Sequence, residues 1–328
     1  MRKYFFILIA LVLIAFTADL VFGSVIFSLT ELWNAVIGSP DAFIHKEILF
    51  NHRLPKALTA ILTGSGLAVA GVLMQTLFNN PLAGPDVLGV TSGASLGVAL
   101  VTLSGLSLPF LNYSSGWGQV TAAILGSIGV LLLIILIAMK VRQTISLLIV
   151  GLMIGYFTSA IVSILQNISN PDTLKLFVTW TFGSLSAVGW DQLKILFIFI
   201  SLGTIGALLL QKPLNALLLG QNYAQGLGFS VKRLRILVIL LTALLAGTTT
   251  AFTGPIAFIG ITTPHIARGI FKTSNHRIVL FGSICCGSII MLVCDLISQL
   301  PGLPGTLPIN AVTALFGAPI IIYILLKK

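Results

Sequence analysis

The sequence predicts an all-α membrane protein with about ten transmembrane helices, organised as a single domain over residues 1–328. Two observations predict this class: 57% of the residues are hydrophobic while only 8% are charged, and the mean hydropathy is +1.09. Soluble domains carry roughly 25% charged residues, so this chain has too few to cover a water-facing surface. The composition therefore excludes a cytosolic enzyme, a secreted disulfide scaffold and a nucleic-acid-binding chain.

The apolar runs are long enough to cross a membrane, because a helix needs about 20 residues to span a hydrocarbon core about 30 Å thick. Ten segments are predicted, at 4–22, 57–78, 87–106, 119–139, 144–166, 192–211, 236–252, 255–271, 278–298 and 307–326. The first resembles a signal peptide. Since it continues to Phe22 and further spans follow, we interpret it as a transmembrane helix.

The basic residues indicate which side is cytoplasmic, because cytoplasmic loops carry an excess of Lys and Arg. With the N-terminus inside, 13 of the 18 basic residues fall in cytoplasmic segments: Arg2, Lys3, Lys140, Arg142, Lys212, Lys232, Arg233, Arg235, Arg268, Lys272, Arg277, Lys327 and Lys328. We therefore expect both termini in the cytoplasm. Asp19 and Asp295 fall near the outer ends of their helices, where we expect water or lipid headgroups to solvate them.

Three connecting segments are longer than simple turns. The outer loops at 23–56 and 167–191 are expected to hold short interfacial helices or a docking surface. The cytoplasmic segment at 213–235 combines a short helical apolar pattern, broken by glycines, with Lys232, Arg233 and Arg235. Two interpretations stay open for it: an interfacial helix anchored to anionic lipid, or a short helix that docks into a cytoplasmic partner and transmits force.

Small residues predict close packing between helices. Gly93 and Gly97, and likewise Gly151 and Gly155, lie four residues apart, a spacing that lets helix backbones approach each other. The three cysteines all fall in the run 278–298, and we expect them to be small apolar core residues.

The sequence contains no set of residues typical of catalysis. It has no HExxH, no GxSxG and no phosphate-binding loop, so we expect no catalytic residues, no metal site and no cofactor bound by this chain. If nucleotide energy drives the protein, a separate subunit must hydrolyse it. A secondary transporter driven by an ion gradient and an intramembrane enzyme remain as alternatives.

Four groups of motifs occur in order over residues 53–319. They are Arg53-Leu54-Pro55-Lys56, Gly64, Gly66, Ala70-Gly71, Gln75, Asn80-Pro81-Leu82-Ala83-Gly84-Pro85, Leu88-Gly89 and Ser92-Gly93-Ala94; Leu219-Gly220, Ala224 and Leu227-Gly228; Gly254-Pro255-Ile256-Ala257-Phe258-Ile259-Gly260 and Pro264-His265-Ile266-Ala267-Arg268; and Asp295, Leu307-Pro308, Thr313-Ala314 and Gly317-Ala318-Pro319. Together they resemble the FecCD/BtuC-type permeases of type II ABC importers, which take up iron-siderophores, haem and vitamin B12.

The resemblance implies a permease subunit in a bacterial plasma (inner) membrane, paired with a second copy or a close paralogue. It implies two ATP-binding subunits, which hold ATP and Mg, on the cytoplasmic face and a substrate-binding protein outside. It implies contact with the ATPase through Leu217, Leu218, Gly220, Gln221, Ala224, Leu227 and Gly228. Arg53 and Lys56 would dock the binding protein, with a snorkelling membrane anchor as the alternative.

The remaining motif residues are expected to be structural. Asn80-Pro81 and Gly254-Pro255 suit sharp turns between packed helices, and Pro264, His265 and Arg268 suit the capping of a short helix. No substrate-binding residues are assigned.

The chain differs from the family pattern at four positions. It has Gln299, Thr306, Gln221 and Lys56 where the family often has Arg, Glu, Glu and Arg. The substrate expected from the resemblance is an iron-siderophore, with cobalamin or haem as the alternative.

Overall fold

The computed structural model describes residues 2–23, 26–38, 43–104, 116–141, 143–300 and 305–326. Fifteen α-helices lie within these ranges: α1 Arg2–Val21, α2 Leu29–Ile37, α3 Phe43–Ile48, α4 Leu54–Leu77, α5 Val90–Thr102, α6 Gly116–Lys140, α7 Thr144–Ile168, α8 Pro171–Thr181, α9 Trp190–Leu209, α10 Gln211–Leu218, α11 Gln221–Gly226, α12 Val231–Thr253, α13 Ile259–Phe271, α14 His276–Ser298 and α15 Ile309–Leu326. A π-helical turn over Leu49–Arg53 joins α3 to α4, and a 3₁₀ turn over Pro85–Leu88 precedes α5.

Each of the ten predicted spans corresponds to a helix, and the all-α fold class is confirmed. Seven helical stretches in the described residues are long and apolar enough to cross a membrane: α1, the continuous Phe43–Leu77 stretch that includes α4, α6, α7, α9, α12 and α14. The other three, α5, α13 and α15, are shorter. The end of the predicted 87–106 span and the basic residues Arg142, Lys327 and Lys328 lie outside the described residues.

Helix α4 is the centre of the bundle. Of the most apolar 18 residues in the Phe43–Leu77 stretch, 83% are buried in the bundle. The corresponding share is 17% in α1 and 22% in α7, which lie at the periphery of the bundle. Helices α9, α12, α13 and α14 all pack on α4. The sequence of α4 allows this because it is rich in Gly, Ala, Ser and Thr, and small side chains let several helix backbones approach from different directions.

Glycines set the closest helix crossings. A Cβ atom on Gly64 of α4 would lie 2.3 Å from the carbonyl oxygen of Gly287 on α14, and a Cβ on Gly287 would lie 2.3 Å from the carbonyl oxygen of Gly64. A Cβ on Gly71 of α4 would meet the backbone of Gly260 on α13, and a Cβ on Gly260 would lie 2.9 Å from the carbonyl oxygen of Leu67 on α4. Only glycine fits at such a crossing, because the two backbones occupy the space of a side chain.

The predicted close packing of small residues is confirmed at Gly93 and Gly97 of α5 and at Gly151 of α7, whereas a Cβ on Gly155 would make only an ordinary contact with Ser92, at 3.5 Å. A Cβ on Gly97 would lie 2.1 Å from the carbonyl oxygen of Ala122 on α6, and a Cβ on Gly93 would lie 2.7 Å from that of Gly126. A Cβ on Gly151 would lie 2.1 Å from the carbonyl oxygen of Val87. These contacts bind α5, α6 and α7 into one layer, which packs on α12 through α5 and α6.

The two long loops predicted on the outer side hold short helices, as expected: α2 and α3 in the first, and α8 in the second. Ser28 caps α2, and its backbone N–H and hydroxyl donate hydrogen bonds to Glu31 Oε2 at 2.7 and 2.8 Å. These two bonds lower the pKa of the Glu31 carboxyl below its ordinary value. Residues 24, 25 and 39–42 of the first loop lie outside the described residues.

The alternation of the spans divides the bundle into two ends. We call the end that carries α10, α11 and the α13–α14 connection at 272–275 the basic end, after the residues listed above. We call the end that carries α2, α3 and α8 the opposite end.

Candidate functional site

The α10–α11 segment at the basic end is a pair of short helices joined at a glycine. Gly220 has φ 114° and Gly228 has φ 85°, a region of backbone conformation that disfavours residues with a Cβ. No atom lies within 4 Å of the position that a Cβ would take at either glycine. The glycines are therefore required by the turn of the backbone and not by crowding.

One face of this segment packs into the bundle. Leu214 is fully buried in the main apolar core, and Leu217 packs partly against that core. Ala224 is also fully buried, in a small cluster with Ala216, Phe229 and Val231. Leu217 and Ala224, two of the residues expected to meet an ATPase, thus hold the segment in place from inside.

The other face of the segment is apolar and exposed. Leu219 is 68% exposed, Leu227 55% and Tyr223 51%, and these three side chains line one concave surface together with Lys212, Asn215, Ala216 and Phe229. Leu218 is exposed as well. Contiguous exposed apolar residues on a polar connection are typical of a protein interaction site.

Asn215 connects α10 to the start of α14. Its Oδ1 atom accepts a hydrogen bond from the backbone N–H of His276 at 2.9 Å and lies 2.8 Å from His276 Nδ1. Because an amide oxygen only accepts, Nδ1 must carry the ring proton. The other ring nitrogen, Nε2, lies 2.7 Å from the hydroxyl of Thr76 on α4. One buried imidazole therefore joins three helices.

Two further contacts attach the α10–α12 region to the α6–α7 connection. Gln221 Nε2 donates to Thr144 Oγ1 at 3.1 Å, in an exposed position. Arg235 on α12 is buried, and its Nη1 donates to the carbonyl oxygen of Val141 at 2.8 Å. Arg235 therefore holds α12 to the α6–α7 connection. The anchoring of Arg235 to anionic lipid, one of the two interpretations left open by the sequence, does not fit its burial.

At the opposite end, Lys56 and Asp295 form a buried ion pair. Lys56 Nζ lies 2.8 Å from Asp295 Oδ2. Gln299, one turn after Asp295, donates from Nε2 to the same carboxylate oxygen at 2.9 Å. Gln299 therefore supplies a hydrogen-bond donor to Asp295 at the position where the family often has Arg.

Arg53 fixes the end of α1. Its Nη1 donates to the carbonyl oxygens of Leu20 and Val21 at 2.6 and 2.9 Å, and its guanidinium lies 3.9 Å from the centre of the Phe27 ring. Carbonyl groups at the end of a helix lack partners within the helix. Arg53 satisfies two of them from a neighbouring element.

Asp19 completes this group of charges. It is buried and lies within electrostatic range of Asp295, Lys56 and Arg53. We define Asp19, Arg53, Lys56 and Asp295 as the charge cluster. It brings two acidic and two basic side chains together where α1, the turn before α4, α4 and α14 meet.

The expectation that water or headgroups solvate Asp19 and Asp295 is wrong, because the two residues are only 2% and 3% exposed. The helices α1, α4 and α14 close around them, which a position near the end of a span does not reveal. Arg53 and Lys56 are likewise buried and bonded within the chain. Their docking of a binding protein stays a prediction.

The motif residues near the basic end join α4 to α13. Arg268 Nη1 donates to Gln75 Oε1 at 2.5 Å, and Gln75 Nε2 donates to the carbonyl oxygen of Ile261 at 3.0 Å. His265 Nε2 lies 2.7 Å from the carbonyl oxygen of Pro81. Pro264 is buried within α13.

The Asn80-Pro81 turn begins directly after α4. The Oδ1 atom of Asn80 accepts a hydrogen bond from the backbone N–H of Leu82 at 2.9 Å, which holds the turn. The contact between His265 Nε2 and the Pro81 carbonyl oxygen holds this turn against α13.

The Gly254-Pro255 connection lies at the opposite end. Gly254 has φ 75°, and a Cβ there would lie 2.6 Å from the carbonyl oxygen of Trp180. Asn310 Oδ1 accepts from the backbone N–H of Ala257 at 3.2 Å. The connection is thus packed between the ends of α8 and α15, next to a cavity of about 350 Å³ that Gln119, Thr179 and Gln192 help to line.

The fold and these two ends define a class of protein: a membrane permease in which the short helices α10 and α11 are anchored in the bundle at one end and expose an apolar face. The model of the FecCD transport family matches residues 10–327. The chain is 34% identical to the hemin transport system permease protein HmuU of Yersinia pestis, over 98% of this chain and 95% of that one. It is 35% identical to the vitamin B12 import system permease protein BtuC of Salmonella typhi, over 84% of this chain and 82% of that one.

A solved inward-facing structure, of a protein assigned to the metal-chelate type of ABC transporter, superimposes with a TM-score of 0.88 at 31% identity and covers 100% of both chains. The chain belongs to the FecCD transport family. It is the permease subunit of a type II ABC importer, and hence a transport component of a membrane machine and not an enzyme.

Sequence reasoning missed two contacts in these sites. His276, Thr76 and Asn215 drew no attention, and Lys56 was not matched with Asp295. The available signal was weak: a histidine directly before an apolar run and an asparagine inside a short amphipathic segment are both common. Only the fold shows that they meet.

Proposed function

We propose that this chain is the membrane-spanning subunit of an ATP-driven importer that moves an iron chelate into the cytoplasm. It works as a pair with a second copy or a close paralogue, with two ATP-binding subunits that hold ATP and Mg and with an extracytoplasmic substrate-binding protein. The observation that carries the proposal is the exposed apolar face of α10–α11, formed by Leu219, Tyr223 and Leu227 on a segment anchored in the core.

The sidedness follows from the distribution of charge. The basic end faces the cytoplasm, because 13 of the 18 basic residues lie in segments on that side. Both termini are then cytoplasmic, and α2, α3 and α8 face outward. This orientation presents α10–α11 to ATPase subunits in the cytosol and leaves the charge cluster beneath the docking side for the binding protein.

The chemistry of the chain supports an external source of energy. Its sequence has no phosphate-binding loop, while α10–α11 offers a rigid apolar contact of the kind a partner groove accepts. Gly220 and Gly228 shape this contact. ATP binding to the partner then shifts the permease between inward-open and outward-open states by contacting one state better than the other.

The substrate proposal rests on the relatives. The iron-siderophore predicted from the family remains our first candidate, and the metal-chelate type neighbour supports a chelate. The second candidates are haem and cobalamin. The name of the HmuU relative, which aligns with 98% of this chain, refers to hemin, and that of the BtuC relative refers to vitamin B12. All three are bulky chelates of a metal, so one apolar pathway between two copies suits each of them.

The ATPase contact is tested with Leu227→Asp in the complete complex, reconstituted in proteoliposomes. The measurement is ATPase retention, the amount of ATP-binding subunit that stays bound to the permease. We expect this amount to fall, because a buried carboxylate without a partner is costly in an interface. Ser230→Asp is the matched control: it adds the same charge to the same segment, and Asp replaces Ser well as a helix cap, as Ser230 caps α12. Equal retention by the two variants would refute the proposed contact.

Uptake of an iron(III) hydroxamate chelate, haemin and cyanocobalamin by the same proteoliposomes identifies the substrate. We expect ATP-dependent uptake of one member of this panel, first of all the hydroxamate chelate. Uptake without any ATPase subunit would show that an ion gradient or diffusion drives the protein and would refute the ATP-driven mechanism.

A further inference from the structure

We propose that the contact among Asn215, His276 and Thr76 is the mechanical connection that carries movement of α10 into the pair formed by α4 and α14. Asn215 and His276 act as positioning residues in this connection. The proposal rests on the proposed function, because it requires an ATPase that displaces α10.

The first argument is the position of the contact within α14. His276 is the first residue of that helix, and its backbone N–H is one of the donors that a helix leaves without an internal partner. Asn215 of α10 supplies the acceptor, at 2.9 Å. The start of α14 is therefore held by a side chain that belongs to the loop segment.

The second argument is shielding. His276 is 1% exposed, so water cannot compete for its bonds to Asn215 and Thr76, and bonds in such surroundings are stronger than bonds in water. The other side-chain bond from the segment, Gln221 to Thr144, is exposed. The buried contact is thus the firmer of the two attachments.

The third argument is the stiffness of the helix pair that receives the movement. Helices α4 and α14 are joined at Thr76 and His276, in the middle where Gly64 meets Gly287, and at the far end where Lys56 pairs with Asp295. Lys56 and Thr76 are about 30 Å apart along α4 at 1.5 Å per residue. Two helices joined at both ends and in the middle move as one body.

The consequence is a path from the cytoplasmic side to the outer side within one rigid unit. Displacement of α10 by the ATPase moves the start of α14, and the α4–α14 pair carries that motion to the charge cluster. There Arg53 holds the end of α1. The loop helix and the docking side of the permease are therefore joined without any intervening flexible segment.

The test uses the complete complex in proteoliposomes, with ATPase retention, ATP hydrolysis and uptake measured on the same sample. The probe is the member of the iron(III) hydroxamate, haemin and cyanocobalamin panel that the unsubstituted complex transports. For Asn215→Ala we expect retained ATPase and continued hydrolysis, while uptake per ATP falls about tenfold, the effect of losing about 1.4 kcal/mol of coupling free energy.

Asn215→Asp is the matched control, because a carboxylate accepts from the same two N–H donors of His276. We expect it to keep uptake per ATP within about twofold of the unsubstituted complex. His276→Gln, which retains one donor and one acceptor, should recover part of the coupling that His276→Ala loses. A purely structural role would change the amount of folded complex and leave uptake per ATP unaltered.

Thr76→Val tests the connection from the α4 side with little change of volume, and we expect the same loss of coupling. Normal uptake per ATP in either Asn215→Ala or Thr76→Val, once the complex has assembled, would overturn the proposal. Failure of the unsubstituted chain to retain an ATPase would instead refute the proposed function. The two failures are distinguished by the retention measurement.

Discussion

Lys56 on α4 and Asp295 on α14 form a buried ion pair, with Nζ and Oδ2 2.8 Å apart. Gln299 donates to the same carboxylate, and Asp19 and Arg53 complete the charge cluster around it. Charged side chains at membrane depth are costly unless they are paired. The cluster therefore ties α1, α4 and α14 together at the end where a binding protein would dock.

Breaking this pair from one side should destabilise the protein strongly. Lys56→Met leaves the buried Asp295 carboxylate without its ion-pair partner, and we expect a loss of about 3–5 kcal/mol in the free energy of unfolding. The double variant Lys56→Met with Asp295→Leu should recover part of that loss, because it removes both charges. Unfolding in detergent micelles measures this cycle, and strictly additive effects would contradict a direct pairing.

The crossing of α4 and α14 should tolerate no side chain. Gly64→Ala places a Cβ 2.3 Å from the carbonyl oxygen of Gly287, and we expect a loss of roughly 1–3 kcal/mol from overpacking. Gly129→Ala on α6 is the control, because nothing lies within 4 Å of its Cβ position. Thermal unfolding of both variants should separate them, and equal midpoints would show that the helices move apart freely.

The turn at Gly228 should matter through its backbone. Gly228→Ala forces a residue with a Cβ to φ 85°, at a cost of roughly 1–2 kcal/mol, although the space around it is open. We expect weaker ATPase retention, because the strain shifts Leu227 on the exposed face. Gly226→Ala, at the end of α11 with open space around it, should retain the ATPase normally. Identical retention in the two variants would rule out this role of the turn.

The structural and docking roles of Arg53 are separated by Arg53→Lys. This variant keeps the charge but loses the planar fork that reaches both Leu20 and Val21. We expect a lower unfolding midpoint, by the equivalent of roughly 1–2 kcal/mol, together with an unchanged association rate of the binding protein. A slower association at low salt, measured by stopped-flow mixing, would show that the shape of the guanidinium itself takes part in docking.

The predicted spans and the observed helices agree because a span is determined by the hydrophobicity of consecutive residues. A run of about 20 apolar residues must cross the bilayer whatever surrounds it, so the segments that became α6, α7 and α14 are visible in the sequence. The glycine spacing at Gly93 and Gly97 was informative for the same reason, since four residues return to one helix face.

The polar contacts were hidden from the sequence because they join residues far apart in the chain. Asp295 near the end of a span predicts contact with solvent, and only the fold shows that α1 and α4 cover it. Likewise Asn215, His276 and Thr76 are unremarkable one by one. Their geometry exists only after three helices have packed.

The sequence by itself determined the class of protein, the segments that form its apolar helices and the loop segment that carries the exposed apolar residues, because hydrophobicity and turn residues act over short distances. The tertiary structure decided which charged side chains are paired and which helices pack together. The physical reason is that a buried ion pair such as Lys56 and Asp295, or a shared imidazole such as His276, depends on the approach of separate helices, which close packing at Gly64 and Gly287 permits.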